Sequence, residues 1–452
     1  MDPQNTRSLF FAFFNYLLVV LLSASSVFSG MLDPTFGTGG KFTTSFPDSS
    51  TGYRSFGFRI LYQSAERIVA AGTFTNQGPD GQATGVVIIG LTGSGAPDGT
   101  FGPSGGMIRD WDQVTAIGLS EALLFPDGKF LRLSQHFPIF GQPTAKVIRY
   151  TAGGINDSSF TADINLVPNS NTIPLKASIL PSGKIMVLAF AQTNPESHHL
   201  FRLNPDGSRD TTFGVNGDKL MNFNRLPNVR FNIVGMQTLP NGKTILTGNL
   251  GTSFQNHDEF FIARFDADGN LDWSFGRFGI VRYSFGVGQK GFVTDLIIDP
   301  VLGRYTVVGA IKNPDEDVFM IRFGRRGKPD GTFGTRGVVV SDITPGGTDY
   351  LSSITTQADG KLVVAGRASP SAGAPVNFLL ARYSEGGVLE AHTKTEFTPG
   401  QPASASDVAI QPDSKILVIG STYNPATAFT GSSMFAIARY TDITSDPSPP
   451  SK

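Results

Sequence analysis

The sequence contains no cysteine. That excludes disulfide staples, thiolate-bound zinc and cysteine nucleophiles, so stability must come from burial alone. Histidine is scarce: His136, His198, His199, His257 and His392 are the whole set, and no two stand at metal-ligand spacing. The adjacent pair in "SHHL" sits at a strand end, where successive side chains point apart. GxSxG, P-loop and EF-hand strings are absent. Charge is sparse and balanced, with 36 Lys and Arg against 37 Asp and Glu. No strong field invites nucleic acid or an anionic membrane. Amphipathic helical periodicity of useful length is missing as well.

The longest apolar run, "LFFAFFNYLLVVLL" from Leu9 to Leu22, has 14 residues. A spanning helix needs about 17–25. Arg7 precedes the run and "SASSVFS" follows it, with Val27 and Ser29 at positions −3 and −1 before Gly30. Residues 1–29 therefore read as a cleaved secretory signal, with an uncleaved anchor as the alternative. The expected location is secreted or cell-surface, with no membrane span once the signal is removed.

What the chain has in excess is Gly, at 53, and Phe, at 37. That composition suits short strands joined by tight turns. A motif of the form "LDPTFGTGG" returns, with its central Phe at Phe36, Phe101, Phe160, Phe213, Phe275, Phe333 and weakly at Phe397. The spacing is about 60 residues without drift, which marks a repeat architecture. "FPDGKFLRL", "LPSGKIMVLA", "LPNGKTILTG", "QADGKLVVAG" and "QPDSKILVIG" run in step, with looser copies from Gln63 and Asp299. Each reads as strand, tight turn, strand, since Asp-Gly between apolar runs is a strong hairpin signal. A Gly five residues after the Lys or Arg (Gly72, Gly248, Gly309, Gly366, Gly420) is expected to end the second strand.

A third signature, as in "FIARF", places Arg at 149, 202, 264, 322, 382 and 439. Eight residues beyond the first five stand Asp157, Asp210, Asp272, Asp330 and Glu390; Gly90 takes the Arg place before Asp98. The constant offset predicts a structural ion pair across a hairpin. In the sixth unit the strands are expected near Leu351–Thr356, Leu362–Ala365, Phe378–Tyr383 and Val338–Ser341. Four-stranded antiparallel units repeated radially are propeller blades. The expected fold is all-β: a seven-bladed β-propeller over residues 30–440, followed by a Pro/Ser-rich tail at 441–452. The last unit lacks a fourth strand, and the opening fragment from Leu32 to Phe46 is a fourth strand without a unit. It should complete the last blade, with Asp33 facing Arg439, and remove two open edges.

Together, "LDxxFGxxG", "PDGK" before an apolar strand, and "ARY" resemble the delta-60 repeat, a β-propeller repeat of bacterial secreted and surface proteins. Thr161 and Thr398 depart from its pattern where Gly should follow Phe. The resemblance implies a fold and no defined activity.

No catalytic or cofactor-binding residue can be named from the sequence, and no cofactor is implied. The densest carboxylate run, Asp315, Glu316 and Asp317, is the weak candidate for a metal; a solvated loop is the better reading, because an isolated run lacks the spaced ligands of a dedicated site. Phe36, Phe101, Phe160, Phe213, Phe275, Phe333, Asp33 and Arg439 read as structural. The irregular segments fall between second and third strands and between units, and function on rigid scaffolds concentrates in such loops. Their Asn, Ser, Thr, Gln and aromatic content suits protein or glycan contact. A monomeric, non-catalytic binding scaffold is the expected function. A polysaccharide hydrolase or lyase, with carboxylates at the channel mouth, is the alternative.

Overall fold

The computed structural model describes residues 31–443, except 46–53, 65, 77–82, 111–114, 139–143, 163–170, 193–196, 222–229, 254–255, 287–288, 313–315, 372 and 424–432. The expected signal and most of the expected tail lie outside these residues, as does much of the irregular loop sequence.

Among the described residues every regular element is a strand. The chain opens with β1 (Met31–Leu32) and β2 (Lys41–Thr44). The first antiparallel set is β3 (Arg54–Ser64), β4 (Arg67–Asn76), β5 (Ala83–Thr92) and β6 (Met107–Asp110). The second is β7 (Thr115–Leu124), β8 (Phe130–Pro138) and β9 (Thr144–Tyr150). Next come β10 (Asn171–Ile179), β11 (Ile185–Gln192), β12 (Ser197–Leu203) and β13 (Asp218–Leu220). The fourth set is β14 (Arg230–Thr238), β15 (Thr244–Ser253), β16 (Asn256–Phe265) and β17 (Ile280–Ser284). The fifth is β18 (Lys290–Asp299), β19 (Arg304–Lys312), β20 (Glu316–Phe323) and β21 (Val338–Ser341). The sixth is β22 (Thr348–Thr356), β23 (Leu362–Ser369), β24 (Asn377–Tyr383) and β25 (Leu389–Thr395). The chain ends with β26 (Ala403–Ile410), β27 (Ile416–Tyr423) and β28 (Ser433–Asp442).

Within each set the strands pair in chain order. Middle strands are apolar on both faces because each is sandwiched between neighbouring sets; Leu362–Ala365 in β23 is buried throughout. The short fourth strands are half exposed, as at β21. The expected tight turns form: Gly360, at φ 85°, lets the Gln357 carbonyl accept its N–H at 3.0 Å. Seven apolar clusters lie between consecutive sets, and one of them joins the last set to the first through Phe435, Ile419, Phe74 and Phe36.

The opening segment lies against the end of the chain. β2 pairs antiparallel with β28 from Lys41↔Ala438 to Thr44↔Phe435, and β1 pairs Leu32 with Tyr440. β28 also touches β3 through a parallel Ser433–Arg54 bridge.

Three expectations fail. Val338–Ser341 pairs with β20 and belongs to the preceding set; Leu389–Thr395 is the fourth strand after Phe378–Tyr383. Phe397 does not occupy a motif site, because the chain runs straight from Glu390 through β25, with Thr393 three residues on where Phe would stand. Phe397 instead packs edge-on to Phe378 at 4.8 Å. The signature glycines do not end their strands. Gly309, Gly366 and Gly420 lie inside β19, β23 and β27, where a Cβ would overlap a carbonyl of the first strand. They stand where those first strands shift register.

Candidate functional site: the seams and the central channel

The predicted Arg–acid pairs form at 2.9 Å for Arg149–Asp157, 2.5 Å for Arg202–Asp210, 2.8 Å for Arg264–Asp272, 3.1 Å for Arg382–Glu390 and 2.8 Å for Arg439–Asp33. Arg322 departs: its Nε donates to Thr306, and Arg304 reaches Asp330 at 3.5 Å. Asp98, facing Gly90, is bonded by Arg67 at 2.6 Å. The sequence reading missed a second cation. The Lys of each "DGK" turn also reaches the acid, as Lys184 does Asp210 at 2.7 Å and Lys415 does Asp33 at 3.2 Å. Arg67 and Arg304 hold the same turn position in their units. The signal was available, since every such turn carries a Lys or Arg.

The same Arg crosses to the next set. Arg202 Nη1 donates to the Ala267 carbonyl at 2.9 Å, Arg264 to Arg325 and Arg322 to Glu385 at 2.6 Å, and Arg439 to Gly93. Its guanidinium lies over the motif Phe, 4.2–4.7 Å from the centroid at Phe160, Phe213, Phe275, Phe333 and Phe36. Phe36, Phe101, Phe213, Phe275 and Phe333 are fully buried and Phe160 nearly so. Each ring meets a positive-φ glycine of the following set; a Cβ on Gly387 would strike Phe333. Burial alone would raise the Asp33 carboxyl, but Thr35, Lys415 and Arg439 outweigh it and hold it at about 2. This cluster staples one set to the next, a role that leaves its charges spent.

The first strands tell a different story. β3, β7, β10, β14, β18, β22 and β26 each carry a register shift. Such bulges re-aim side chains. The residues just past them, Arg59, Glu121, Lys176, Gly235, Asp295, Ser353 and Asp407, all line one central cavity of about 410 Å³. Its other lining residues, Val234 apart, follow these in sequence, so it lies on the side of the A–B turns, between first and second strands.

Arg59 bonds Glu121 at 2.6 Å, and Lys176 reaches the other oxygen at 3.4 Å. Burial opposes the Glu121 charge, but Arg59 and then Lys176 hold the carboxyl at about 2. Asp295 and Asp407 behave oppositely: burial pushes both upward and Arg59 offsets only part. The Ser353 hydroxyl lies 3.0 Å from Asp295 and 2.9 Å from Asp407. Serine has one proton to donate, so both contacts are attractive only when one carboxyl keeps its own proton. The channel thus offers a fixed anion paired to two cations and two carboxyls bridged by one hydroxyl. Sequence reasoning missed all of these residues. The only trace is the second-strand Gly, which marks where the neighbouring strand bulges.

Of the metal candidates, Asp315 lies outside the described residues, and Glu316 and Asp317 open β20 with Asp317 buried. No group of three His, Asp or Glu that could hold a metal occurs among the described residues. His198 and His199 do point apart. His198 lies tilted against Phe190 with ring centroids 5.1 Å apart, and burial lowers its pKa to about 4. His199 bonds Asp218 at 2.9 Å and Ser197 at 3.0 Å. That Ser–His–Asp line lines neither the channel nor the seam cavities. Among the described residues no helix is long and apolar enough to cross a membrane.

Three segments, residues 180–213, 239–275 and 357–392, match the family described as domain of unknown function (DUF5122) beta-propeller. The fold is a β-propeller. Each matched segment runs from an A–B turn of one blade to its third strand and beyond. No curated protein matches. Similar solved structures include a putative oxidoreductase (glucose dehydrogenase) from Thermus thermophilus, at 14% identity and TM-score 0.35 over 72% of this chain and 99% of that one. An acylaminoacyl peptidase from Pyrococcus horikoshii gives 9% and 0.43 over 82% of this chain and 51% of its own. An α-L-arabinofuranosidase from Fusarium graminearum in complex with arabinobiose gives 11% and 0.41 over 71% and 93%. Likeness this distant says nothing about what this chain binds.

Proposed function

We propose that the chain is a secreted or cell-surface β-propeller of seven blades, closed by its N-terminal segment, that binds protein or glycan without transforming it. The observation behind this reading is the fate of the charges. Those of the repeat are spent on joining blades, and Glu121 in the channel is locked between two cations. The pairing of β2 with β28 supports closure and a monomer, because it covers both open edges. Partners would meet the face of the irregular loops, between second and third strands and between blades. There Pro402, Ser421, Tyr423 and Ser433 line a cleft of about 160 Å³. The mature protein, residues 30–452, should retain glycans on an array, or a purified protein ligand, and release no product from them.

One observation favours a polysaccharide-acting enzyme instead. Asp295, Ser353 and Asp407 bring two carboxyls to one hydroxyl beside a cavity, an arrangement able to give and take a proton. Reducing ends released from a polysaccharide panel, and lost in both Asp295→Asn and Asp407→Asn, would replace binding by catalysis.

A further inference from the structure

A repeat is its own control: what one blade has and the others lack is not needed for the fold. The seam between the fourth and fifth blades departs from the pattern at several points, and the backbone brings their segments side by side, with the Gly276 N–H donating to the Arg326 carbonyl at 2.9 Å.

The Arg-to-carbonyl bond that crosses the seams identifies equivalent turns, save where Arg382 meets the Asp442 carboxylate at 2.7 Å instead. The two-residue steps at these turns are Gly93–Ser94, Ala152–Gly153, Pro205–Asp206, Ala267–Asp268 and Glu385–Gly386, all neutral or acidic. At the fourth seam the step is Arg325–Arg326, and both are exposed. These two, with Lys243, Arg264 and Ser274, line a cavity of about 420 Å³ into which no carboxylate projects. Asp272 neutralises one charge's worth of Lys243 and Arg264 from below, so the cavity keeps net positive charge. Arg325 is laid over Gly303, where a Cβ would meet its Nε at 2.8 Å, and its Nη2 donates to the Val301 carbonyl at 3.2 Å.

The second departure is aromatic. The residue after the motif Asp is Pro34, Gly99, Ser158, Thr211 or Gly331 in other blades; here it is Trp273, 69% exposed and next in the chain to the lining Ser274. Phe278 stacks edge-on with Trp273 at 5.8 Å and is itself partly exposed. It holds a φ of 57° at a site filled by Gly39, Asn216 and Arg336 elsewhere. A bulky residue in that conformation is strained, and strain of this kind gathers at functional sites.

We infer that the cavity between the fourth and fifth blades, with Arg325, Arg326 and Trp273, binds an acidic polysaccharide. Guanidinium groups pair with uronate carboxylates in a planar, bidentate way. An exposed indole gives the apolar face on which a sugar ring stacks. Neither the cations nor the aromatics alone select this class; their presence at one seam does. The inference rests on the non-catalytic binding reading above and gives it a ligand class, but moves the surface from the face of the irregular loops to the side of the regular turns.

The test is calorimetric titration of the mature protein with oligogalacturonate at low and moderate salt. Wild type should bind, more weakly as salt rises. Arg325→Glu with Arg326→Glu should weaken binding at least tenfold, and Trp273→Ala several-fold, both with unchanged melting curves. The fully methyl-esterified oligomer should bind at least tenfold more weakly. Equal binding of the ester, or unchanged binding in the double variant, overturns the inference. So does poly-L-glutamate bound as tightly and indifferent to Trp273→Ala, which would make the seam a patch for acidic protein. No binding of oligogalacturonate by wild type also overturns it. Other glycans retained equally by wild type and seam variants would leave the binding reading standing.

Discussion

At most seams the same types recur: a Lys or Arg from the turn, an acid, an Arg and a buried Phe, with Gly90 in place of one Arg and Thr393 in place of one Phe. In the channel the inward positions read Arg59, Glu121, Lys176, Gly235, Asp295, Ser353 and Asp407, and no neighbours are alike. Both regions are rich in buried charge, yet one is uniform and the other is not. Each seam solves the same problem, that of holding two sheets face to face, so one solution serves throughout. The channel is a single place lined by the first strands from β3 to β26, and each strand can hold a different group at no cost to the repeat. Uniform charge here means architecture, and varied charge is where chemistry can reside.

The comparison breaks most visibly at the seam that joins the chain's two ends. Deleting residues 31–46 removes β2, Asp33 and Phe36 together, and leaves the edge of β28 and the seam to the first blade open. Soluble yield should fall and oligomers should appear in size-exclusion chromatography. Moving the segment to follow Ile443 should restore the monomer. A deletion variant that stays monomeric with an unchanged melting curve would refute closure.

Within a seam, Phe333→Ala should cost about 3–5 kcal/mol, because the ring is fully buried against Gly387 and collapse there is limited by backbone. Phe397→Ala, at the seam that lacks the motif, should cost about 1–2 kcal/mol. Equal losses in denaturant titrations would erase the distinction between motif Phe and ordinary Phe. Asp210→Asn should follow at about 2–3 kcal/mol, since it strands Lys184 and Arg202 around a nearly buried site.

This contrast also explains what could be read from the sequence. The seams were legible because they repeat: Phe spacing, the Arg-to-acid offset and the orphan opening fragment pointed to strand order and to the Asp33–Arg439 pair. The second cation escaped because "DGK" was read only as a turn, its Gly hiding what its Lys does. Strand membership at Val338–Ser341 escaped because pairing is set in three dimensions, and a strand following a motif belongs to the blade before the next one begins. The channel was illegible for a deeper reason. A bulge moves side chains by one place, so period-2 alternation assigns Asp295 and Asp407 to the wrong face. Only the second-strand Gly hints at it, and a Gly has several uses.

Acid separates the two regions next. Asp33 is held at about 2, and Asp157, Asp210 and Asp272 are held lower still. Unfolded Asp titrates near 4, so these pairs contribute stability above about pH 4 that is lost as pH falls through their folded values. The melting midpoint should drop steadily below pH 4, and Asp210→Asn should flatten part of that drop. An acid limb unchanged in Asp210→Asn would remove the seams as its cause.

The channel should give the smallest effect and the opposite sign. Burial raises Asp295 and Asp407, so their contribution is full at low pH and is lost as pH rises through their folded values, where an ionised carboxyl must remain buried. Asp407→Asn carries no such charge. Ser353 can donate to the remaining carboxyl, while the amide oxygen can still accept the Ile60 N–H that Asp407 accepts at 3.0 Å. Relative to wild type, the variant should therefore gain stability as pH rises above about 4, by no more than about 1 kcal/mol because Arg59 already offsets part of the cost. Paired melting curves at acid and at neutral pH decide it. If the variant instead loses ground as pH rises, Asp407 is ionised and stabilising, the proton shared through Ser353 is not there, and the channel follows the same rule as the seams.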